Sequence, residues 1–146
     1  MPKDKKEKLK TESESKRKYL FALGRRKRSI ARVKLFQGKG KSLVNGKLLE
    51  EYFPGTVARE EYLKPFRLVE GEGKYFIEVK VQGGGKSSQL GAFVYGVARA
   101  FDQWDRDKFR PALKKNGLLT RDSREKERRK PGRAQKARKK KQSPKR

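Results

Sequence analysis

The chain contains no cysteine and no histidine among its 146 residues. Without cysteine it can form neither a disulfide nor a thiolate nucleophile, and it has no cysteine ligand for a metal. Histidine is the side chain that most often performs general acid–base catalysis, and that group is missing too. These two absences leave few side chains that could carry out catalysis.

The carboxylates are not arranged in a way that suggests catalysis either. They cluster as Glu50-Glu51, Glu60-Glu61 and the group Asp102, Asp105 and Asp107. We interpret them as charges on helix surfaces, paired with nearby arginine or lysine. A metal site built from the three aspartates is the alternative. We therefore predict a protein that is not an enzyme and that needs no metal and no cofactor.

Long hydrophobic runs are also missing. No apolar run of the chain approaches the roughly 18 residues that a transmembrane helix needs. Residues 1–18 lack the apolar centre of a secretory signal, and Asp4, Glu7, Glu12 and Glu14 argue against a mitochondrial transit peptide. We expect residues 1–18 to be a disordered extension of mixed charge, and we expect no membrane partner.

What the sequence has in excess is positive charge. It contains 43 lysines and arginines against 17 acidic residues, a formal net charge of +26. The excess is 4 in residues 1–18, 11 in residues 19–120 and 11 in residues 121–146. Because the middle segment is basic in its own right, we expect a nucleic acid to contact both the folded body and the tail. An anionic membrane surface is the weaker alternative, since neither tail shows a basic helix with a broad apolar face.

The C-terminal tail, residues 121–146, carries the densest charge. Fourteen of its 26 residues are Lys or Arg, and its only aliphatic side chains besides two prolines are Ala134 and Ala137. Such a segment buries too little apolar surface to offset its ordering entropy, so we expect disorder in the isolated protein. Fully extended, it would reach roughly 85 Å. The tail is typical of a polyanion-binding segment, and a solubility tag or localisation signal is the alternative.

Residues 19–120 hold nearly all the apolar residues and suffice for one globular domain. The pattern predicts two strands in residues 19–36, a short strand at 42–44, short helices at 48–53 and after Thr56, a strand at 75–81, a helix with an apolar face from Leu90 to Trp104, and a short helix at 111–115. We expect the Phe and Trp side chains of the long helix to lie in the core. This order predicts an α+β two-layer sandwich with a roughly four-stranded sheet.

A glycine loop, Gly83-Gly84-Gly85-Lys86, lies between the best strand and the best helix. The phosphate-binding loop of NTPases needs a further glycine at position 80, where this chain has Lys80. A glycine loop before a helix still favours an anion, because backbone N–H groups and the helix dipole point toward it. We predict that it holds a phosphate of a nucleic acid; a flexible glycine turn is the alternative.

A second basic cluster lies in the predicted turn between the first two strands. Arg25, Arg26, Lys27 and Arg28 are consecutive, and Arg32 and Lys34 follow on one face of the next strand. Together they predict a phosphate-binding ridge. A solvated loop is the alternative.

Several stretches between residues 20 and 130 match one family pattern in order. They are residues 24–33, Gly38-Lys39-Gly40-Lys41, residues 44–54, residues 79–85, Gln89-Leu90-Gly91-Ala92, residues 96–100, residues 110–115 and residues 117–122. In these stretches the chain resembles the family of the ninth protein of the small ribosomal subunit, in its bacterial form. The ends depart from the family pattern, with Pro131 where an aromatic residue is usual and Pro144 inside the usual Ser-Lys-Arg terminus.

The resemblance implies a two-layer domain with a left-handed crossover, similar to the second domain of ribosomal protein five. It also implies a cytoplasmic, structural protein of the small ribosomal subunit, placed in the head on ribosomal RNA beside neighbouring head proteins. In this family the basic tail runs through the RNA, and its last residues approach the anticodon arm of tRNA in the peptidyl site. The alternative from composition alone is a nucleoid or histone-like DNA-binding protein.

The candidate site residues follow from the charge pattern and the resemblance together. We expect the RNA-binding residues to be Arg25, Arg26, Lys27, Arg28, Arg32, Lys34, Gly83, Gly84, Gly85, Lys86, Arg121, Arg124, Arg128, Arg129, Lys130, Arg133, Lys136, Arg138, Lys139, Lys140 and Lys141. The resemblance further implies that Lys145 and Arg146 contact tRNA.

Overall fold

The structure, a computed structural model, describes residues 18–133 and 136–138. Within these residues the strands are β1 (Tyr19–Arg26), β2 (Ser29–Gln37), β3 (Leu43–Val44), β4 (Lys47–Leu48) and β5 (Tyr75–Gln82). The helices are α1 (Leu49–Tyr52), α2 (Thr56–Leu68), α3 (Lys86–Trp104) and α4 (Arg106–Lys115). The predicted α+β class is confirmed, with one short strand more than expected.

The strands form one open sheet in the order β1-β2-β5-β3-β4. β2 pairs antiparallel with both β1 and β5. β3 pairs parallel with β5, so the chain crosses over between them, and α2 lies in that connection. The left-handed sense of this crossover stays a prediction from the family resemblance.

The core lies between one face of the sheet and the helices. Ala31, Val33 and Leu35 of β2 are fully buried on this face, as their alternation predicts. Helix α3 packs across β1 and β2, and α2 and α4 flank it. Its Phe101 ring meets the rings of Phe66, Tyr75 and Phe109 edge-on, with centroid distances of 5.4, 5.4 and 6.0 Å. Phe93 and Phe101 of this helix are therefore core residues as expected, and Trp104 packs against the core while partly buried.

The turn after β3 is the tight turn that the dipeptide Asn45-Gly46 predicts, because both residue types tolerate positive φ angles. Asn45 and Gly46 have φ angles of +50° and +81°, the left-handed values that a type I′ turn needs. This tight turn lets Lys47 and Leu48 pair back onto β3 as β4. The short helix α1 therefore begins at Leu49, one residue later than predicted.

Helix α4 differs most from its prediction. It begins at Arg106, because the Asp105 side chain accepts a hydrogen bond from the backbone N–H of Lys108 at 3.2 Å and so caps the helix. The expected start at Pro111 was wrong, and that proline lies inside the helix. The predicted end is confirmed, since Asn116 is the C-cap and Gly117 follows with a φ of +70°.

Candidate nucleic-acid interface

The two predicted basic clusters of the folded body meet at one end of the sheet. The β1–β2 turn is tight, with Arg26 opposite Ser29 and Lys27 at a φ of +51°. Because β2 and β5 are antiparallel, the start of β2 lies beside the end of β5, where the glycine loop begins. A Cβ added to Gly83 would lie only 2.5 Å from the carbonyl oxygen of Arg28. The basic turn and the glycine loop are thus in direct contact.

Serine hydroxyls hold the glycine loop in place. The buried Ser29 hydroxyl donates to the carbonyl oxygen of Gly83 at 3.0 Å and lies 2.9 Å from the Ser88 hydroxyl. Gly83 and Gly84 both have left-handed φ angles, +77° and +59°. A Cβ on Gly84 would overlap the Ser29 hydroxyl, so this position requires glycine for space as well as for φ.

One backbone N–H group of the glycine loop is already hydrogen-bonded within the protein, at the start of α3. The backbone N–H of Gly85 donates to the Ser88 hydroxyl at 3.1 Å. Gly85 is the N-cap and Ser88 is the third residue of the helix, so this serine bonds the N-cap backbone from inside the first turn. This bond occupies one of the N–H groups that the glycine pattern offered to a phosphate.

The Lys86 ammonium faces α1 rather than the glycine loop. Its Nζ lies 3.4 Å from the centroid of the Tyr52 ring and 3.4 Å from the Tyr52 carbonyl oxygen. The Tyr52 hydroxyl in turn donates to Gln89 at 2.9 Å, and the Gln89 amide donates to Gly83 at 3.1 Å. Tyr52 and Gln89 therefore connect α1, α3 and the loop. Sequence reasoning missed both residues, because nothing in the local pattern marks them.

Asn45, in the turn that follows β3, belongs to the same hydrogen-bond network. Its side-chain amide accepts from the N–H and donates to the carbonyl of Val81, both at 2.9 Å. It also donates to the Tyr52 hydroxyl at 3.3 Å. The Asn45 side chain thus prolongs the β3–β5 pairing by one step after β3 ends. The sequence indicated only its role in the turn.

The first residues of the tail approach the same end of the sheet. Residues 121–130 form no regular secondary structure. Asp122 lies 3.5 Å from Arg26, and Glu125 lies 3.3 Å from Arg28. An open cleft of about 770 Å³ separates this segment from the body and is lined by Lys27, Arg28, Gly84, Gly85, Ser87, Ser88 and residues 125–129. We call residues 25–28, 83–86 and 126–129 together the basic end; they include eight basic residues and one acidic residue.

The acidic residues of the tail are bound by arginines. Asp122 accepts hydrogen bonds from the backbone and the guanidinium of Arg124, which together hold its pKa well below the usual value of 3.8, and the Arg26 charge adds to this. The Arg138 guanidinium bonded to Glu127 at 2.8 Å likewise lowers the pKa of that carboxyl. These carboxylates stay charged at neutral pH and offset part of the positive charge around them.

Arg32 and Lys34 do not form one continuous ridge with the basic turn. They lie on the face of the sheet opposite α3, with Arg25 on the same face. Arg26 points to the other face and packs its side chain against Gly91 of α3. Its Nε atom is buried and has no hydrogen-bond partner among the described residues. The predicted ridge is thus divided between the two faces of the sheet.

The remaining predicted residues lie in the tail. Arg121, Arg128 and Arg129 are exposed. The backbone N–H of Lys130 donates to the carbonyl of Lys136, and the N–H of Lys136 donates to the carbonyl of Arg133. Lys139, Lys140, Lys141, Lys145 and Arg146 fall outside the described residues.

Two of the three aspartates that could have suggested a metal site have structural partners. Asp102 binds Arg110, with 3.0 Å between Oδ2 and the guanidinium, and Asp105 caps α4. No group of three or more carboxylates within residues 18–133 and 136–138 is placed to hold a metal ion. In the same part of the chain, no helix combines the length and the hydropathy needed to cross a membrane.

Comparison with known proteins identifies the family. A profile of the ribosomal protein S9/S16 family matches residues 24–146. Small ribosomal subunit protein uS9 of Dehalococcoides mccartyi is 48% identical over 124 residues, covering 84% of this chain and 93% of that protein. Protein uS9 of Cutibacterium acnes is 47% identical over 111 residues, covering 76% of this chain and 64% of that protein. The chain therefore belongs to the ribosomal protein S9/S16 family and is a structural protein of the small ribosomal subunit.

Proposed function

We propose that the chain binds ribosomal RNA through the basic end of its sheet and through the tail that starts there. The observation that carries the proposal is the convergence of three separate segments, the β1–β2 turn, the glycine loop and residues 126–129, around one cleft. The cleft is lined by five basic and two acidic residues, and this net positive charge raises the local concentration of phosphate groups. The candidate residues Arg121, Arg124 and Lys130 extend the charge from this end along the tail.

The partners of this function follow from the family. The protein works in the cytoplasm within the head of the small subunit, in contact with ribosomal RNA and with neighbouring head proteins. The tail continues from the basic end, and its last residues, Lys145 and Arg146, reach the anticodon arm of tRNA in the peptidyl site. The tail is long enough for such a role, since 26 extended residues span roughly 85 Å.

Co-sedimentation with small subunits in high-salt gradients tests the ribosomal RNA proposal. We expect the full chain to stay with the subunits. A variant with Lys27→Ala, Arg28→Ala and Lys126→Ala at the basic end should leave them at lower salt. The matched control replaces three exposed lysines of α4, Lys108, Lys114 and Lys115, by alanine. A chain that leaves the subunits and follows DNA, or equal losses in the two triple variants, would contradict the proposal.

The tRNA contact needs its own experiment. Removing Lys145 and Arg146 takes away two of fourteen tail cations, so assembly into subunits should survive. We expect a modest loss of tRNA affinity in the peptidyl site or a faster tRNA off-rate. If subunits with the shortened tail hold tRNA with unchanged affinity, off-rate and initiation selectivity, the tRNA contact is contradicted. The tail would then serve only to bind ribosomal RNA.

A further inference from the structure

The face of the sheet opposite α3 is a second surface with its own chemistry. We call it the open face. It is lined by side chains in four rows that run across β1, β2 and β5. The rows are Tyr19–Phe36–Phe76, Phe21–Lys34–Glu78, Leu23–Arg32–Lys80 and Arg25–Ile30–Gln82. Four of these side chains are basic and one is acidic.

The aromatic row at one end of the open face is closed by its own contacts. The rings of Phe36 and Phe76 are stacked, with 4.9 Å between centroids and 6° between planes. Tyr19 covers the other side of Phe36 at 5.6 Å. Gly40 lies against the Phe76 ring, since a Cβ there would be 2.6 Å from it. Phe36 is buried as a result, and these rings stabilise the sheet.

Phe21 differs from these residues. Its side chain is 48% exposed, and it makes no ring contact within residues 18–133 and 136–138. Lys34 lies opposite it on β2, 3.9 Å from Glu78 on β5. Arg32 and Lys80 form the next row and are both exposed. Phe21 is therefore an exposed aromatic side chain on an edge strand, with cations on the side toward the centre of the sheet.

An exposed ring beside cations fits a ligand that is both flat and anionic. An unpaired nucleotide has both properties, because its base offers a π-face for stacking and its phosphate carries a charge. A paired duplex offers only phosphates, since its bases are already stacked. If an apolar protein surface covered this face, its four cations would lose their water without gaining a polar partner, which is unfavourable.

We propose that the open face binds an unpaired stretch of RNA, with one base stacked on Phe21 and the adjacent phosphates held by Arg32 and Lys80. This inference rests on the proposed ribosomal RNA binding and adds a second contact surface to it. The basic end recognises phosphates alone, whereas the open face would select single-stranded over paired RNA.

Binding of a 12-nucleotide oligouridine to the full chain tests the inference, with a duplex of the same length as comparison. Phe21→Ala should weaken oligouridine binding roughly 5- to 100-fold, the range for loss of one stacked base. The slope of log affinity against log salt should not change, because stacking involves no counterions. Duplex affinity should stay the same. Val57→Ala, which removes another exposed apolar side chain, is the matched control.

Two further variants separate stacking from other roles of Phe21. Phe21→Leu keeps apolar surface but lacks a π-face, so it should lose most of the affinity, and Phe21→Trp should restore it. Arg32→Gln and Lys80→Gln should each flatten the salt slope by roughly 0.7, the value for one single-strand phosphate. Full affinity for oligouridine in Phe21→Leu would overturn the stacking role and point to an apolar protein partner instead.

Photocross-linking distinguishes this inference from the proposed function. Small-subunit RNA that contains 5-iodouridine is bound to the full chain and irradiated, and the cross-linked peptides are identified by mass spectrometry. We expect cross-links in residues 19–25 that disappear in Phe21→Leu. Cross-links confined to the tail and the basic end would overturn the inference and leave the proposed function standing. Absence of any cross-link, together with failure to co-sediment, would overturn both.

Discussion

Gly24 of β1 and Gly96 of α3 face each other at van der Waals distance. A Cβ on Gly96 would lie 3.0 Å from the Gly24 nitrogen and 2.9 Å from the Val33 side chain. A Cβ on Gly24 would overlap the Ala92 carbonyl oxygen and lie 2.5 Å from the Gly96 nitrogen. The helix that covers the sheet is therefore as close to β1 as two backbones permit. This close packing explains Gly96, whereas Gly91 of the same helix lies against the Arg26 side chain.

The first prediction concerns this contact. Gly24→Ala should destabilise the fold by about 3 kcal/mol, the upper end of overpacking costs, because the added methyl meets backbone that cannot rotate away. Gly91→Ala is the matched comparison, since its Cβ would meet only the flexible Arg26 side chain and alanine favours a helix by about 1 kcal/mol. Urea denaturation measures both free energies of unfolding. Equal values for the two variants would show that the contact is looser than the structure has it.

The second prediction concerns the hydroxyl pair under the glycine loop. Ser29→Ala removes the buried hydroxyl that contacts both the Gly83 carbonyl and the Ser88 hydroxyl, at a cost of about 1 kcal/mol. The cost is not larger because the Gln89 amide and the Gly85 N–H still donate to these two groups. Ser87→Ala, at an exposed position beside Ser88, should change stability by less than about 0.5 kcal/mol. Hydrogen exchange at the Gly85 amide should accelerate in the first variant only. Unchanged exchange in Ser29→Ala would mean that the loop is held by other contacts.

The third prediction compares two lysines that both lie over an aromatic ring. Lys86 is 3.4 Å from the Tyr52 centroid, and Lys108 is 5.6 Å from that of Phe109. Lys86→Glu should weaken RNA binding more than Lys108→Glu and flatten the salt slope by roughly one unit, because it reverses a charge at the basic end. Filter binding over a range of salt concentrations measures both. Equal losses would support a plain glycine turn.

The fourth prediction concerns the titration of Asp122. Its pKa is lowered in the folded protein, so the stability that its ion pairs contribute is fully present above the ordinary value near 3.8. This contribution is lost progressively as pH falls from there through the lower folded-state pKa. Arg124→Gln should raise the pKa more than Arg26→Gln, since the Arg124 hydrogen bonds are the larger cause. Carboxyl carbon chemical shifts in an NMR titration report this directly. A larger effect from Arg26→Gln would reverse the ranking of the two arginines.

The fifth prediction concerns the tail as a whole. Removal of residues 121–146 should leave the domain folded, because the buried core ends at Leu113. The tail's ion pair to Arg28 is exposed and weak, and the half-buried pair to Arg26 is a single contact at 3.5 Å. RNA affinity should fall, and its salt slope should flatten by roughly one unit for each phosphate that the shortened chain no longer neutralises. Removal of residues 1–18, which carry mixed charge, is the control and should change the slope far less. Thermal unfolding and salt-dependent binding measure the two effects.

Local patterns determined much of the fold. The alternation of Tyr75, Ile77, Val79 and Val81 predicts the inward face of β5, and the apolar spacing from Leu90 to Trp104 predicts α3. Both succeed because the period of the apolar residues is itself the cause of burial on one face. The start of α4 was predicted wrongly, because in the sequence Asp105 is only one of several neighbouring charged residues. Its capping bond to the next turn exists only once the helix has formed.

The sequence by itself also determined that the protein is basic and that it belongs to a ribosomal family, because composition and motifs do not depend on the fold. Only the tertiary structure decided which clusters meet. Ser29 reaches Gly83 across 54 positions of sequence because β2 and β5 are antiparallel, and that pairing carries the basic turn to the glycine loop. The pairing of β1 with β2 likewise places the exposed Phe21 beside Lys34 and next to the row of Arg32 and Lys80. Strand pairing is a non-local interaction, so no local pattern could have predicted these neighbours.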